Sequence, residues 1–96
     1  MSKINRDEQL KIKKMEKIMK GGANHWRIAI LFLLEKEPNL TVMEVSETLG
    51  ASFVTIASHL QKMEASGLIY KNQKSTMVEH VLTPTGKEII KLLRII

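Results

Sequence analysis

The chain has 96 residues, 44% of them hydrophobic and 26% charged, and a formal net charge of +5. That length suits one domain of the usual ~100–150 residues, and the hydrophobic share is too high for a disordered tail. The lack of cysteine excludes a disulfide scaffold, thiolate metal ligands and a thiol nucleophile.

The opening MSKINRDEQLKIKK is charged throughout, unlike a signal peptide. The longest apolar run, Ile28–Leu34, covers seven residues, against the roughly 20 that a membrane span needs. A single cytoplasmic helical domain over residues 1–96, without a membrane partner, is expected.

The charge is unevenly placed. Residues 1–27 carry Lys3, Arg6, Lys11, Lys13, Lys14, Lys17, Lys20 and Arg27 against Asp7, Glu8 and Glu16, a net of +5. Residues 28–61 hold Lys36 against Glu35, Glu37, Glu44 and Glu47, a net of −3. Residues 62–96 return to +3. A basic chain with an acidic middle suits an anionic partner touched by the ends more than the centre.

From Asp7 to Lys20 the sequence is rich in helix formers, with Ile12, Met15, Ile18 and Met19 at three- and four-residue spacings. This predicts an amphipathic helix stopped by Gly21-Gly22. Asn24 is placed to cap a second helix from His25 to about Lys36. That segment is apolar nearly all round, as suits the centre of a core, and Pro38 ends it.

Thr41-Val42-Met43-Glu44 is a capping box that opens a short third helix. Its buried side is Val42, Val45 and Leu49, and Gly50 closes it. Ser52 caps a fourth helix whose inner face is Ile56, Leu60 and Met63, and which Gly67 terminates. Two short helices around a tight Gly50-Ala51 turn make a helix-turn-helix, spanning residues 41–66.

Residues 68–82 then read as a hairpin. Leu68–Lys71 is a strand, Asn72–Ser75 a polar turn, and Thr76–Leu82 a second strand. Thr83-Pro84 pairs an N-cap with proline at the first helical position, opening a last helix over 83–96. The order α-α-α-α-β-β-α, mainly α with one small hairpin, is that of a winged helix-turn-helix.

The segment Leu49-Gly50-Ala51-Ser52, Thr55-Ile56, Ser58-His59-Leu60, Met63 and Ala65-Ser66-Gly67-Leu68-Ile69 resembles the recognition-helix signature of ArsR/SmtB-type regulators. In that signature a small turn leads to a Ser/Thr-rich helix, a His-Leu pair and a Gly-Leu step into the wing. The run Val81-Leu82-Thr83-Pro84-Thr85-Gly86-Lys87-Glu88 is more similar to the wing-to-helix junction of MarR-type regulators. The resemblance covers roughly residues 24–88 and implies a homodimeric DNA-binding transcriptional regulator, a repressor.

A helix fits the major groove, where every base pair shows a distinct donor and acceptor pattern. The expected DNA contacts on the fourth helix are Ser52, Thr55, Ser58, His59, Gln61 and Lys62, all read as exposed. Ser52 and Thr55 lie in the first turn, where hydroxyl and backbone N–H groups hold phosphate. Ser58 and Gln61 are placed for base edges and Lys62 for the backbone. In the wing, Lys71 and Lys74 are placed for phosphates.

The departures from the family pattern are specific. Ser58 stands where arginine is common, and Phe53, Val54 and Ala57 replace polar residues near the helix start. No basic residue falls between Lys36 and Lys62, so affinity must come from the wing and first helix, with thymine methyls as targets for the apolar side chains. The alternative is a winged helix turned to protein binding, with Phe53 and Val54 as the contacts.

Part of the family senses metals, but the third helix offers no cysteine and the last helix only Glu88 as a ligand. His25, His59 and His80 lack metal-ligand spacing and read as a first-turn surface residue, a groove-facing or core-edge residue and a strand residue, so neither a metal nor another cofactor is expected. An enzyme is not expected either, since adjacent Ser58 and His59 point about 100° apart on a helix and cannot form a nucleophile and its base.

The last helix carries Ile89, Ile90, Leu92, Leu93, Ile95 and Ile96. A domain this small has too little core to cover them all, and an uncovered patch marks an interface. With Leu10, Ile12, Met15, Ile18 and Met19 of the basic helix in residues 1–22, residues Ile89, Ile90, Leu92, Leu93 and Ile96 are the expected two-fold dimer seam.

Overall fold

The computed structural model describes residues 5–22 and 24–95. Five helices and one hairpin follow in order: α1 Arg6–Gly22, α2 His25–Lys36, α3 Val42–Leu49, α4 Phe53–Ala65, β1 Ile69–Lys74, β2 Met77–Leu82 and α5 Pro84–Ile95.

Local chemistry sets most boundaries. Asn24 accepts the Trp26 N–H at 2.9 Å, and Thr41 and Glu44 close their reciprocal box. Gly50 ends α3 in the left-handed region at φ +67°, and Ser52 accepts the Thr55 N–H. One start differs from expectation. Asn5 accepts the Glu8 N–H at 2.9 Å, and α1 runs on through both glycines at its far end.

The core draws on every element from α2 onward. Ile30, Leu31 and Leu34 of α2 meet Val45 of α3, Ile56, Leu60 and Met63 of α4, and Leu68, Ile69, Leu82, Ile89 and Ile90 beyond. Val42 and Leu49 are half-buried and pack against this cluster.

The wing is longer than expected. Asn72 and Gln73 are strand residues paired with Glu79 and Val78, and only Ser75-Thr76 turn. Ser75 takes φ +58°, and its carbonyl accepts the Gln73 side-chain amide at 3.0 Å. A two-residue loop lets the flanking strands keep their natural twist. Leu40, before α3, adds a bridge on the outer edge of β2. The His80 N–H donates to the Leu40 carbonyl at 2.9 Å, and His80 Nδ1 lies 2.8 Å from the same oxygen. His80 is thus a buried wing anchor.

At the base of the wing, the Thr83 hydroxyl donates to the Gly67 carbonyl at 2.6 Å and accepts the Gly86 N–H at 3.0 Å. The Thr83 N–H donates to the Leu68 carbonyl at 3.1 Å. Gly86 is buried so close to this corner that any Cβ there would run into the Leu68 carbonyl oxygen.

The tight approach at Gly86 sets the phase of α5. Ile89 and Ile90, three and four residues on, are buried in the chain's own core, and Leu93 is half-buried against it. This corrects the expected seam, because the first two are spent inside the protomer. Leu92 and Ile95 instead face outward, 50% and 81% exposed, as do Leu10 and Ile12 on α1. The side chains of Met15, Ile18 and Met19, and Ile96 as a whole, lie outside the described residues. Arg94 ion-pairs with Glu35 and stands 5.1 Å over the Phe32 ring, tying the end of α5 to α2.

Candidate nucleic-acid interface

Helix α4 has two unlike sides. Ile56, Leu60 and Met63 point into the core and hold the helix in place. Opposite them, Val54, Ser58 and Gln61 recur at helical spacings of four and three and are all exposed, with Lys62 beside them. A helix held by one face and bare on the other can be laid in a groove about 12 Å wide.

The first turn is less available to a ligand than the residue types suggested. The Ser52 hydroxyl donates to Thr55 Oγ1 at 2.8 Å while accepting the Thr55 N–H at 3.2 Å. Thr55 is half-buried. The two hydroxyls therefore serve the cap and each other, and Phe53 and Val54 are left as the prominent side chains of this turn, 52% and 77% exposed.

Of its two expected places, His59 takes the core edge rather than the groove. It is half-buried on the side of α4 facing α2, where its Nδ1 accepts the Arg27 Nε–H at 3.1 Å. Burial, then the charges of Arg27 and Lys62 and the neighbouring His25, pull its pKa below the ordinary imidazole range. Neutral His59 is consistent with its part in that bond, since imidazolium has no acceptor nitrogen.

Arg27 was absent from the expected site. Its guanidinium also donates to the Lys20 carbonyl at 2.9 Å, so one side chain joins the end of α1, the start of α2 and the flank of α4. It brings positive charge beside a helix that has no basic side chain of its own before Lys62. The bond to His59 spans 32 positions in sequence, and no local pattern marks it.

On the other flank, Glu64 meets the wing. Its Oε1 lies 3.7 Å from Lys71 Nζ, a partly exposed pair that leaves both groups accessible. Lys74 is exposed beside the turn at the wing tip. Lys62, Lys71 and Lys74 thus lie on α4 and the hairpin, while the outer face of α4 itself is uncharged up to Lys62.

Among the described residues, no three histidine or carboxylate side chains come together as a metal site. His25 is on the surface of α2, its ring 4.7 Å from that of Trp26. Among the same residues no helix is long and apolar enough to cross a membrane.

Residues 25–70, from the start of α2 into β1, match the family model of winged helix-turn-helix DNA-binding domains. The fold is a winged helix-turn-helix. The resemblance seen in the sequence therefore holds at the level of the domain.

The winged helix is similar to HlyU of Vibrio vulnificus CMCP6, a transcriptional regulator, with 28% identity over 93% of each chain and a TM-score of 0.77. It is similar to PagR of Bacillus anthracis, a transcriptional repressor, with 25% identity over 90% of this chain and 99% of that one, TM-score 0.80. Its fold is also that of Mb0332 from Mycobacterium bovis, a homodimeric winged helix-turn-helix domain described as a possible ArsR-family regulator. There the TM-score is 0.83 at 19% identity, over 99% of this chain and 88% of that one. No curated protein matches the chain in sequence.

Proposed function

We propose that the chain is a homodimeric transcriptional repressor of the ArsR type that acts on double-stranded DNA in the cytoplasm. Helix α4 lies in the major groove, with Ser58 and Gln61 at base edges and Lys62 on the phosphate backbone. Lys71 and Lys74 of the wing meet adjacent phosphates. Two copies paired through the terminal helices read a pseudo-palindrome whose half-sites are about one helical turn apart.

The observation that carries this reading is the two-sidedness of α4, anchored by Ile56, Leu60 and Met63 and bare along Ser58, Gln61 and Lys62. The likeness to PagR, a repressor, supports the sign of regulation. The exposed Leu10, Ile12, Leu92 and Ile95 support pairing of copies, because apolar groups left on both terminal helices gain from mutual cover. The proposed repressor uses neither metal nor cofactor.

A salt titration of the purified chain against random duplex DNA tests the reading. Several phosphate contacts per dimer give a log–log slope at least as steep as about −4. A slope near zero overturns DNA binding and leaves the winged helix as a protein-binding module.

A further inference from the structure

The first turn of α4 poses a question that folding does not answer. Val54 is 77% exposed and Phe53 52% exposed, so the core gains little from either. Valine is also a weak helix former, because its branched Cβ is restricted against the preceding turn. Neither burial nor helix stability accounts for it at so exposed a position.

The surroundings narrow what could cover these side chains. Ser52 and Thr55, the polar groups of the same turn, are engaged with each other. The cations that suit phosphate are Lys62 farther along α4 and Lys71 and Lys74 on the wing. A polyanion held by those lysines brings its uncharged interior against the uncharged stripe Val54, Ser58 and Gln61. In a major groove the apolar feature of that interior is the C5-methyl group of thymine.

We infer that Val54, flanked by Phe53, is a specificity-determining contact that seats on a thymine methyl group. The inference rests on the DNA-binding reading above and adds the base class that it selects. Gln61 lies seven residues farther along, about 10 Å at the helical rise and so about three base pairs away. Its amide suits the N6 and N7 edge of adenine. The preferred half-site therefore carries a thymine under the start of α4 and an adenine about three pairs on.

The test uses the full chain and a duplex enriched by it from random sequence. Each thymine is replaced in turn by deoxyuridine, which keeps every hydrogen-bonding group and removes only the methyl. One or two positions per half-site should lose about fourfold in affinity, the worth of one buried methyl-sized group. In Val54→Ala that sensitivity should vanish, with the thymine duplex bound about as weakly as the uracil duplex. Alanine favours the helix, and an unchanged far-UV circular dichroism spectrum verifies folding.

Uracil at every position without effect on the native chain overturns the inference. So does a Val54→Ala variant that keeps the native sensitivity to uracil. A variant that binds all duplexes as the native chain does overturns it too, and assigns the exposed pair to a protein partner. In each of these cases salt-dependent duplex binding persists, so DNA binding itself stands. A chain that enriches no duplex overturns both.

Discussion

Arg27 of α2 donates its Nε–H to Nδ1 of His59 on α4 across 3.1 Å, and the same guanidinium holds the Lys20 carbonyl at the end of α1. Helix α4 is thereby keyed to α2, and through Arg27 to the end of α1, by one neutral imidazole. Protonation removes the acceptor and sets an imidazolium beside Arg27 and Lys62, with His25 near.

The direction of the resulting pH dependence follows from the lowered pKa of His59. The unfolded chain takes up this proton near the ordinary imidazole value of roughly 6.5, and the folded chain only at lower pH. Stability from neutral His59 is therefore complete above about pH 6.5 and declines as pH falls toward the lowered native value. Urea unfolding of the native chain and of His59→Gln at a series of pH values measures it. The variant should lose less stability over that interval, and parallel profiles would show that His59 does not drive the decline.

Gly86→Ala should destabilise the fold although alanine is the better helix former. Its methyl group meets the Leu68 carbonyl oxygen, which belongs to a backbone corner tied down by Thr83. Overpacking of this kind costs about 1–3 kcal/mol. The urea midpoint should drop with an unchanged slope, whereas an unchanged midpoint would mean that α5 can slide away from the corner.

Leu92 and Ile90 are two positions apart on α5 and should behave as different kinds of residue. Leu92→Glu combined with Ile95→Glu changes exposed side chains and should yield folded monomers by light scattering. Ile90→Ala opens a hole in the protomer core and should cost about 2–5 kcal/mol of stability. A double variant that stays dimeric at micromolar concentration would refute a seam built on the outer face of α5.

Lys71→Ala with Lys74→Ala should weaken binding to all duplexes alike, since phosphates carry no sequence information. The salt slope should become shallower by about 2 per protomer. Loss confined to one sequence would instead assign these wing lysines to bases.

The element order was legible in the sequence because nearly every junction carries its own signal. Asn24, Thr41 with Glu44, Ser52, and Thr83 with Pro84 each mark a helix start by chemistry confined to a few residues. The inner face of α4 was legible for a similar reason, since Ile56, Leu60 and Met63 stand out among polar neighbours.

What the sequence hid depends on distant partners. Ile89, Ile90, Leu92, Leu93 and Ile95 are nearly continuous, so their own pattern does not say which go inside; the close contact at Gly86 does. Asn72 and Gln73 have the composition of a loop, yet they continue β1 because the strands pair out to Lys74 and Met77. Whether His59 faces a groove or the core edge is hidden in the sequence because Arg27, its partner, lies on another helix.

The bridge from Leu40 to His80 joins positions 40 residues apart and loops the chain around both α3 and α4. A two-stranded ribbon is marginal in water by itself. Leu40 therefore gives the hairpin a third neighbour drawn from the far side of both helices in sequence. Losing the Leu40 bridge should loosen the outer edge of the wing even with every wing residue intact.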